Sequence, residues 1–90
     1  MTAPLPLGWV VATPGALKLL MEARAHLFEY LARHATGDWG ELCAFDRRQN
    51  EIALRDGLRV FSSYEVPAGR VWIITEADRS VTTILLPEEY

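Results

Sequence analysis

Gly69-Arg-Val-Trp-Ile-Ile-Thr-Glu-Ala-Asp-Arg-Ser-Val-Thr-Thr-Ile-Leu-Leu-Pro-Glu-Glu-Tyr90 is the stretch that decides the fold of this chain. Two apolar, β-branched runs flank the polar triplet Asp78-Arg-Ser80, which is the pattern of an antiparallel hairpin. A three-residue loop would set Trp72, Ile74 and Glu76 opposite Leu86, Ile84 and Thr82. Working back from it, Leu58–Val66 also alternates with period two and is joined through Pro67-Ala-Gly69. Leu58–Val66, Arg70–Ala77 and Val81–Leu86 therefore read as three strands of an antiparallel meander, with Val71, Ile73, Ile74, Ile84 and Leu85 in the core. Leu7–Thr13 is a short strand or extended segment and a candidate fourth member.

Between them the period is helical. Thr13-Pro14 supplies an N-cap and a proline in the first turn, where its missing N–H costs nothing. Leu17, Leu20 and Met21 share a face, and the stripe resumes at Leu27 or Phe28, Leu31 and Ala35. A small domain has little use for so long a rod, so two helices with a bend near Ala23–Ala25 are expected. Gly37 ends the second. Asp38-Trp-Gly-Glu41 and Asp46-Arg-Arg-Gln49 both resemble capping boxes, and the latter opens a helix over Arg47–Asp56 closed by Gly57. The expected fold is α+β: one domain over residues 1–90, N-terminal helices packed on one face of a three-stranded or four-stranded antiparallel meander.

Ninety residues, half of them hydrophobic and 23% charged, suit one small core. Nine basic and twelve acidic residues leave a net charge of −3, which makes nucleic acid a poor primary ligand and gives no attraction to an anionic membrane. No apolar run approaches the roughly 20 residues of a membrane helix. Cys43, the one cysteine, has no disulfide partner in the chain and reads as a small buried hydrophobe. Met1–Leu7 lacks the basic and long apolar regions of a signal peptide, so a cytoplasmic monomer or small homo-oligomer is expected.

Chemistry is sparse. His34 sits at a predicted helix C-terminus, where the macrodipole would raise its pKa; it reads as a cap first and an acid or base second. His26 is expected in solvent. Glu76, Asp78 and Arg79 are the densest charged group at a loop tip and the expected partner-binding residues, with Arg79 offering a planar guanidinium fork; the alternative is that Asp78 serves only the turn and Arg79 pairs with Glu76 in solvent. Trp39 is either a partner anchor or a core residue. Arg47, Arg48, Arg55 and Arg59 interleave with acids as a solvated face. No carboxylate and histidine set suits a metal, no glycine-rich strand-to-helix turn suits a nucleotide cofactor, and Ser62-Ser63 lacks a His–acid partner at recognisable spacing.

Val10-Val-Ala-Thr-Pro-Gly-Ala-Leu17, Arg33-His34, Gly37-Asp-Trp-Gly-Glu-Leu42, Asn50, Ala53-Leu54, Gly57, Tyr64 and above all Trp72–Tyr90 resemble a family of small bacterial proteins carried on plasmids, integrative elements and phages. Its members go by the label plasmid-related protein, and some by type I restriction endonuclease subunit M. The second label does not fit a chain this short, because a methyltransferase needs a cofactor-binding α/β domain. Relatives in this family often have a Ser-Pro-like turn where this chain has Ala23-Arg-Ala25, which favours the bend. The resemblance implies a non-enzymatic protein of a mobile element that binds a protein partner, for instance a host defence component. A small ribonuclease of RelE or barnase-like layout, with His34, Arg59, Tyr64 and Arg79 as its conceivable catalytic groups, is the alternative, and a conjugation or replication accessory factor is a third.

Overall fold

The computed structural model describes residues 3–90. Strand β1 (Trp9–Ala12) leads into α1 (Pro14–Glu22) and α2 (Leu27–Ala35), then α3 (Ala44–Asp56), β2 (Val60–Val66), β3 (Gly69–Thr75), β4 (Val81–Leu85) and a final 3₁₀ turn over Pro87–Glu89. The strands form one sheet in the order β1-β4-β3-β2. Strands β2, β3 and β4 are the antiparallel meander that the alternation predicts. The first strand adds a correction: it pairs parallel to β4, Trp9 beside Val81 and Ala12 beside Ile84, so the sheet is mixed. Its helical crossover makes this possible, since α1 to α3 carry the chain across one sheet face before β2 begins.

The helix boundaries follow local chemistry. Thr13 Oγ1 accepts the Ala16 N–H at 3.1 Å, with Pro14 opening α1. The bend falls where it was expected, through Arg24 in the left-handed region (φ 53°). Ala25 N–H bonds back to Leu20 C=O at 2.9 Å and Arg24 N–H to Met21 C=O at 3.1 Å, the two-bond ending of a Schellman cap. Helix α3 begins earlier than its acidic signal suggests. Cys43, not Asp46, is the N-cap; Asp46 lies in the first turn and the Cys43 thiol is exposed rather than buried. Asp38–Glu41 starts no helix. Gly40 has φ 72° and lies against Ser63, where any Cβ would collide with the Ser63 carbonyl oxygen, so the segment becomes a β-bridge to Ser63.

The β3–β4 loop has four residues, Ala77–Ser80, not three. Glu76 N–H bonds to Val81 C=O, Arg79 N–H bonds to Glu76 C=O at 2.9 Å, and Arg79 takes φ 62°. The register therefore moves by one from the expected one: Ile73 faces Ile84 and Ile74 faces Thr83. Because strand side chains alternate, that step decides which groups meet the helices. Tyr64, Val71, Ile73 and Ile84 form the main core with Ala16, Leu20 and Leu31 of the helices. All five apolar residues expected inside are buried. A second cluster of Leu5, Trp39, Ala53 and Val60 seats α3.

Candidate functional site

On the helix-covered face the sheet places Ser62, Thr75 and Thr82 among apolar neighbours, all fully buried. Their hydroxyls require partners, and His34 of α2 supplies them. His34 Nδ1 lies 2.6 Å from Ser62 Oγ and Nε2 lies 2.8 Å from Thr75 Oγ1. Thr75 Oγ1 is 2.7 Å from Thr82 Oγ1, which donates to the Leu7 carbonyl at 2.8 Å. Counting protons assigns every direction, since each hydroxyl has one hydrogen. Thr82 spends its hydrogen on a carbonyl, so Thr75 must donate to Thr82. Thr75 then has none left, so His34 donates from Nε2–H, and Nδ1 accepts from Ser62. The result is an ordered chain from Ser62 through His34, Thr75 and Thr82 to Leu7, joining β2, α2, β3, β4 and the N-terminal segment.

His34 is thus not the solvated helix cap that its sequence position predicts. It is 1% exposed, and burial pushes its pKa down to about 4 instead of up. Ser62 and His34 have the spacing of a nucleophile and its base, yet both are buried where the inner face of α2 meets the sheet, away from solvent.

Tyr64 is fully buried, its hydroxyl donating to the Asp38 carbonyl at 2.7 Å, and burial raises its pKa to about 12. The Arg33 guanidinium lies 4.7 Å from the Tyr64 ring centroid and pairs with Asp38 at 2.7 Å, which holds the Asp38 carboxyl below its usual range. Arg59 sits on the opposite sheet face, lining a cleft with Phe61, Trp72 and Tyr90. His34, Arg59 and Tyr64 do not converge.

The hairpin tip also disperses. Glu76 accepts from Arg59 at 3.3 Å, whereas Asp78 folds onto its own turn, taking Ser80 N–H at 3.0 Å and Ser80 Oγ–H at 2.6 Å, which lowers its pKa. The Arg79 fork is not free. It donates to three carbonyls, Leu58 at 2.5 Å and Ala53 and Glu76 at 3.1 Å, closing the C-terminal end of α3 onto the hairpin. Trp39 is 7% exposed and seats α3 as a core residue. A partner at the tip would meet Asp78 and the turn backbone, not a presented guanidinium.

What sequence reasoning missed is the other sheet face, where Phe61 and Trp72 are half-buried beside the buried Ile74 and Leu85. Phe61 meets Trp72 edge-on at 4.9 Å between centroids, and Trp72 meets Tyr90 at 5.7 Å. With Arg59 and Ile74 they line an apolar cleft of about 270 Å³, and a second hollow of about 210 Å³ continues it past Thr83 and Leu85 to Glu76. Arg59 is held by Glu76 and by the Tyr90 hydroxyl at 2.8 Å, while Arg70 is held by Glu65 and Ser63, both at 2.8 Å. The rim cations are therefore already neutralised, leaving an apolar floor with paired charges at its margin. The detectable signal was the alternation itself: Phe61, Trp72, Ile74 and Leu85 fall on one face once the four-residue loop is known.

Among the described residues no three His, Cys, Asp or Glu side chains gather as a metal set, and no helix is long and apolar enough to cross a membrane. No family model, curated protein or solved structure matches the chain.

Proposed function

We propose that this chain is a non-enzymatic binding protein of a mobile element that acts by occupying a protein partner, a host defence component being the class its sequence resemblance suggests. The observation that carries the reading is the half-buried aromatic cleft around Trp72. Large aromatics over an apolar floor, ringed by compensated charges, have the make-up of a protein-binding patch: a desolvated centre and a polar rim. An unpaired basic surface for phosphates is what the same face lacks, with Arg59 and Arg70 each tied to a glutamate. The hairpin tip borders this face through Glu76, so the cleft and the tip can belong to one contact.

The test is capture from host extract with wild type and with an Arg59→Glu/Tyr90→Ala variant, both substitutions being at exposed positions. A protein retained by wild type and lost by the folded variant is expected. Equal retention by both, or RNA cleavage by purified wild type, would count against the reading.

A further inference from the structure

The two edges of the sheet are treated very differently. Along β2 the outward backbone groups are occupied one after another. Asn50 of α3 accepts the Phe61 N–H at 3.0 Å and donates to the Phe61 carbonyl at 2.6 Å. Ser63 N–H bonds to Trp39 C=O at 3.1 Å, Ser63 C=O accepts Glu41 N–H at 2.7 Å, and Glu65 N–H is taken by the Glu41 carboxylate at 3.0 Å. That edge is closed to any further strand.

At β1 nothing comparable happens. Trp9 N–H and Thr13 N–H bond inward to Ser80 and Ile84 carbonyls, both at 2.9 Å, so the alternation turns the N–H and C=O of Val10 and Ala12 outward. Those four groups have no partner among the described residues. Their neighbours are apolar and exposed: Trp9 at 80%, Val10 at 42% and Val11 at 47%. Leu7–Leu17 contains no charged residue, so the edge carries none of the lysines or inward charges that ordinarily guard such a strand.

We infer that β1 pairs antiparallel with β1 of a second copy, joining two four-stranded sheets into one of eight strands. Three features select a second copy over a foreign strand. An uncharged edge approaches its own copy without like-charge repulsion. A twofold axis lets each copy use its outward Val10 and Ala12 groups on the same groups of the other, leaving none unmatched. The closed β2 edge forbids head-to-tail addition, so pairing ends at two and does not run on as a fibre. A four-residue edge is small against the roughly 1,200 Å² of a standard interface, so the Trp9 and Val11 side chains must join the contact and association depends on concentration.

The experiment is sedimentation across micromolar to millimolar protein for wild type, Val10→Lys and Val10→Pro, with circular dichroism to confirm folding. Proline at this position removes an outward N–H that no hydrogen bond within the sheet uses, and lysine places like charges across the seam. Wild type is expected to reach twice the monomer mass, with amide exchange at Val10 and Ala12 slowing as concentration rises. Each variant is expected to weaken the dimer by roughly tenfold or more while remaining folded. A wild type that stays monomeric throughout, or a dimer of equal strength in a folded Val10→Lys, would overturn the proposal. If Val10→Pro does not fold, Val10→Lys and the exchange data still decide.

Discussion

The buried imidazole makes a prediction whose sign and size can be worked out. In the unfolded chain His34 titrates near 6.5, whereas in the folded protein burial holds it to about 4. Between those values the unfolded state binds more protons than the folded one, so stability climbs with pH through this window and is lost as pH falls from about 6.5 toward 4. A gap of about two and a half pH units, at about 1.4 kcal/mol each, amounts to about 3 kcal/mol when fully expressed and about 2 kcal/mol of it by pH 5. For a small domain that is a substantial share of the total. The comparison protein is His34→Gln, which keeps an N–H donor toward Thr75 and does not titrate. It is expected to be less stable than wild type at pH 7, because Ser62 loses its acceptor, but to show little further loss by pH 5. Urea denaturation at the two pH values, read by tryptophan fluorescence, gives both differences. Asp38, Asp78 and Glu89, each held below its ordinary pKa by hydrogen bonds, lose their contributions only at lower pH and do so in both proteins. Equal slopes for wild type and His34→Gln would refute the assignment, and so would a ring ¹⁵N spectrum with the proton on Nδ1.

Three further outcomes follow from particular contacts. Arg79→Ala should lower stability by roughly 1.5–3 kcal/mol, since charged donors to the Leu58, Ala53 and Glu76 carbonyls are lost; thermal melting unchanged within error would contradict this. His26 is the N-cap of α2 without a side-chain cap bond, and Glu29 stands at N3, so His26→Ser completes a capping box and should raise stability by about 0.5–1 kcal/mol in the same melt. Asn50→Ala opens the guarded β2 edge at Phe61, and a loss of about 1–3 kcal/mol together with concentration-dependent light scattering is expected.

The hairpin and the start of α1 were legible because each has a local cause, alternation and a proline in the first turn. The bend followed only from the size of the domain and the family resemblance, since Arg24 carries no glycine signal, and the starts of α2 at His26 and α3 at Cys43 lack the side-chain caps that would have announced them. The failures are non-local or hinge on one residue. Nothing in Trp9–Ala12 names β4 as its partner, because a parallel neighbour lies a whole helical crossover away. The loop takes Ala77 as well as Asp78-Arg-Ser80, and that one residue turns Ile74 from the expected partner of Ile84 into that of Thr83. His34 looked like a cap since a helix end says nothing about what lies above it. The better clue was Ser62, Thr75 and Thr82, hydroxyls at inward positions of strands otherwise filled by Tyr64, Ile73 and Ile84, which demanded a polar partner from the helices. Arg79 looked available to a partner because two of its three acceptors, the Ala53 and Leu58 carbonyls, lie at and just past the end of α3, more than twenty residues upstream.

The pairing of the first strand with the last has a consequence for the order of events at the ribosome. As the chain emerges, Trp9–Ala12 has no sheet to join until Val81–Leu85 is released, and the Leu7 carbonyl waits for Thr82 across 75 residues. The helices and the β2–β3 hairpin can form earlier, but His34 then has Ser62 and Thr75 without the end of their chain, and Ala12 has no neighbour on the sheet. Completion is therefore deferred until Val81–Leu85 is released, and for that interval an uncharged Trp9-Val10-Val11 segment travels unprotected. A synthesis arrested before residue 81 would leave this uncharged segment with no strand of its own to pair with.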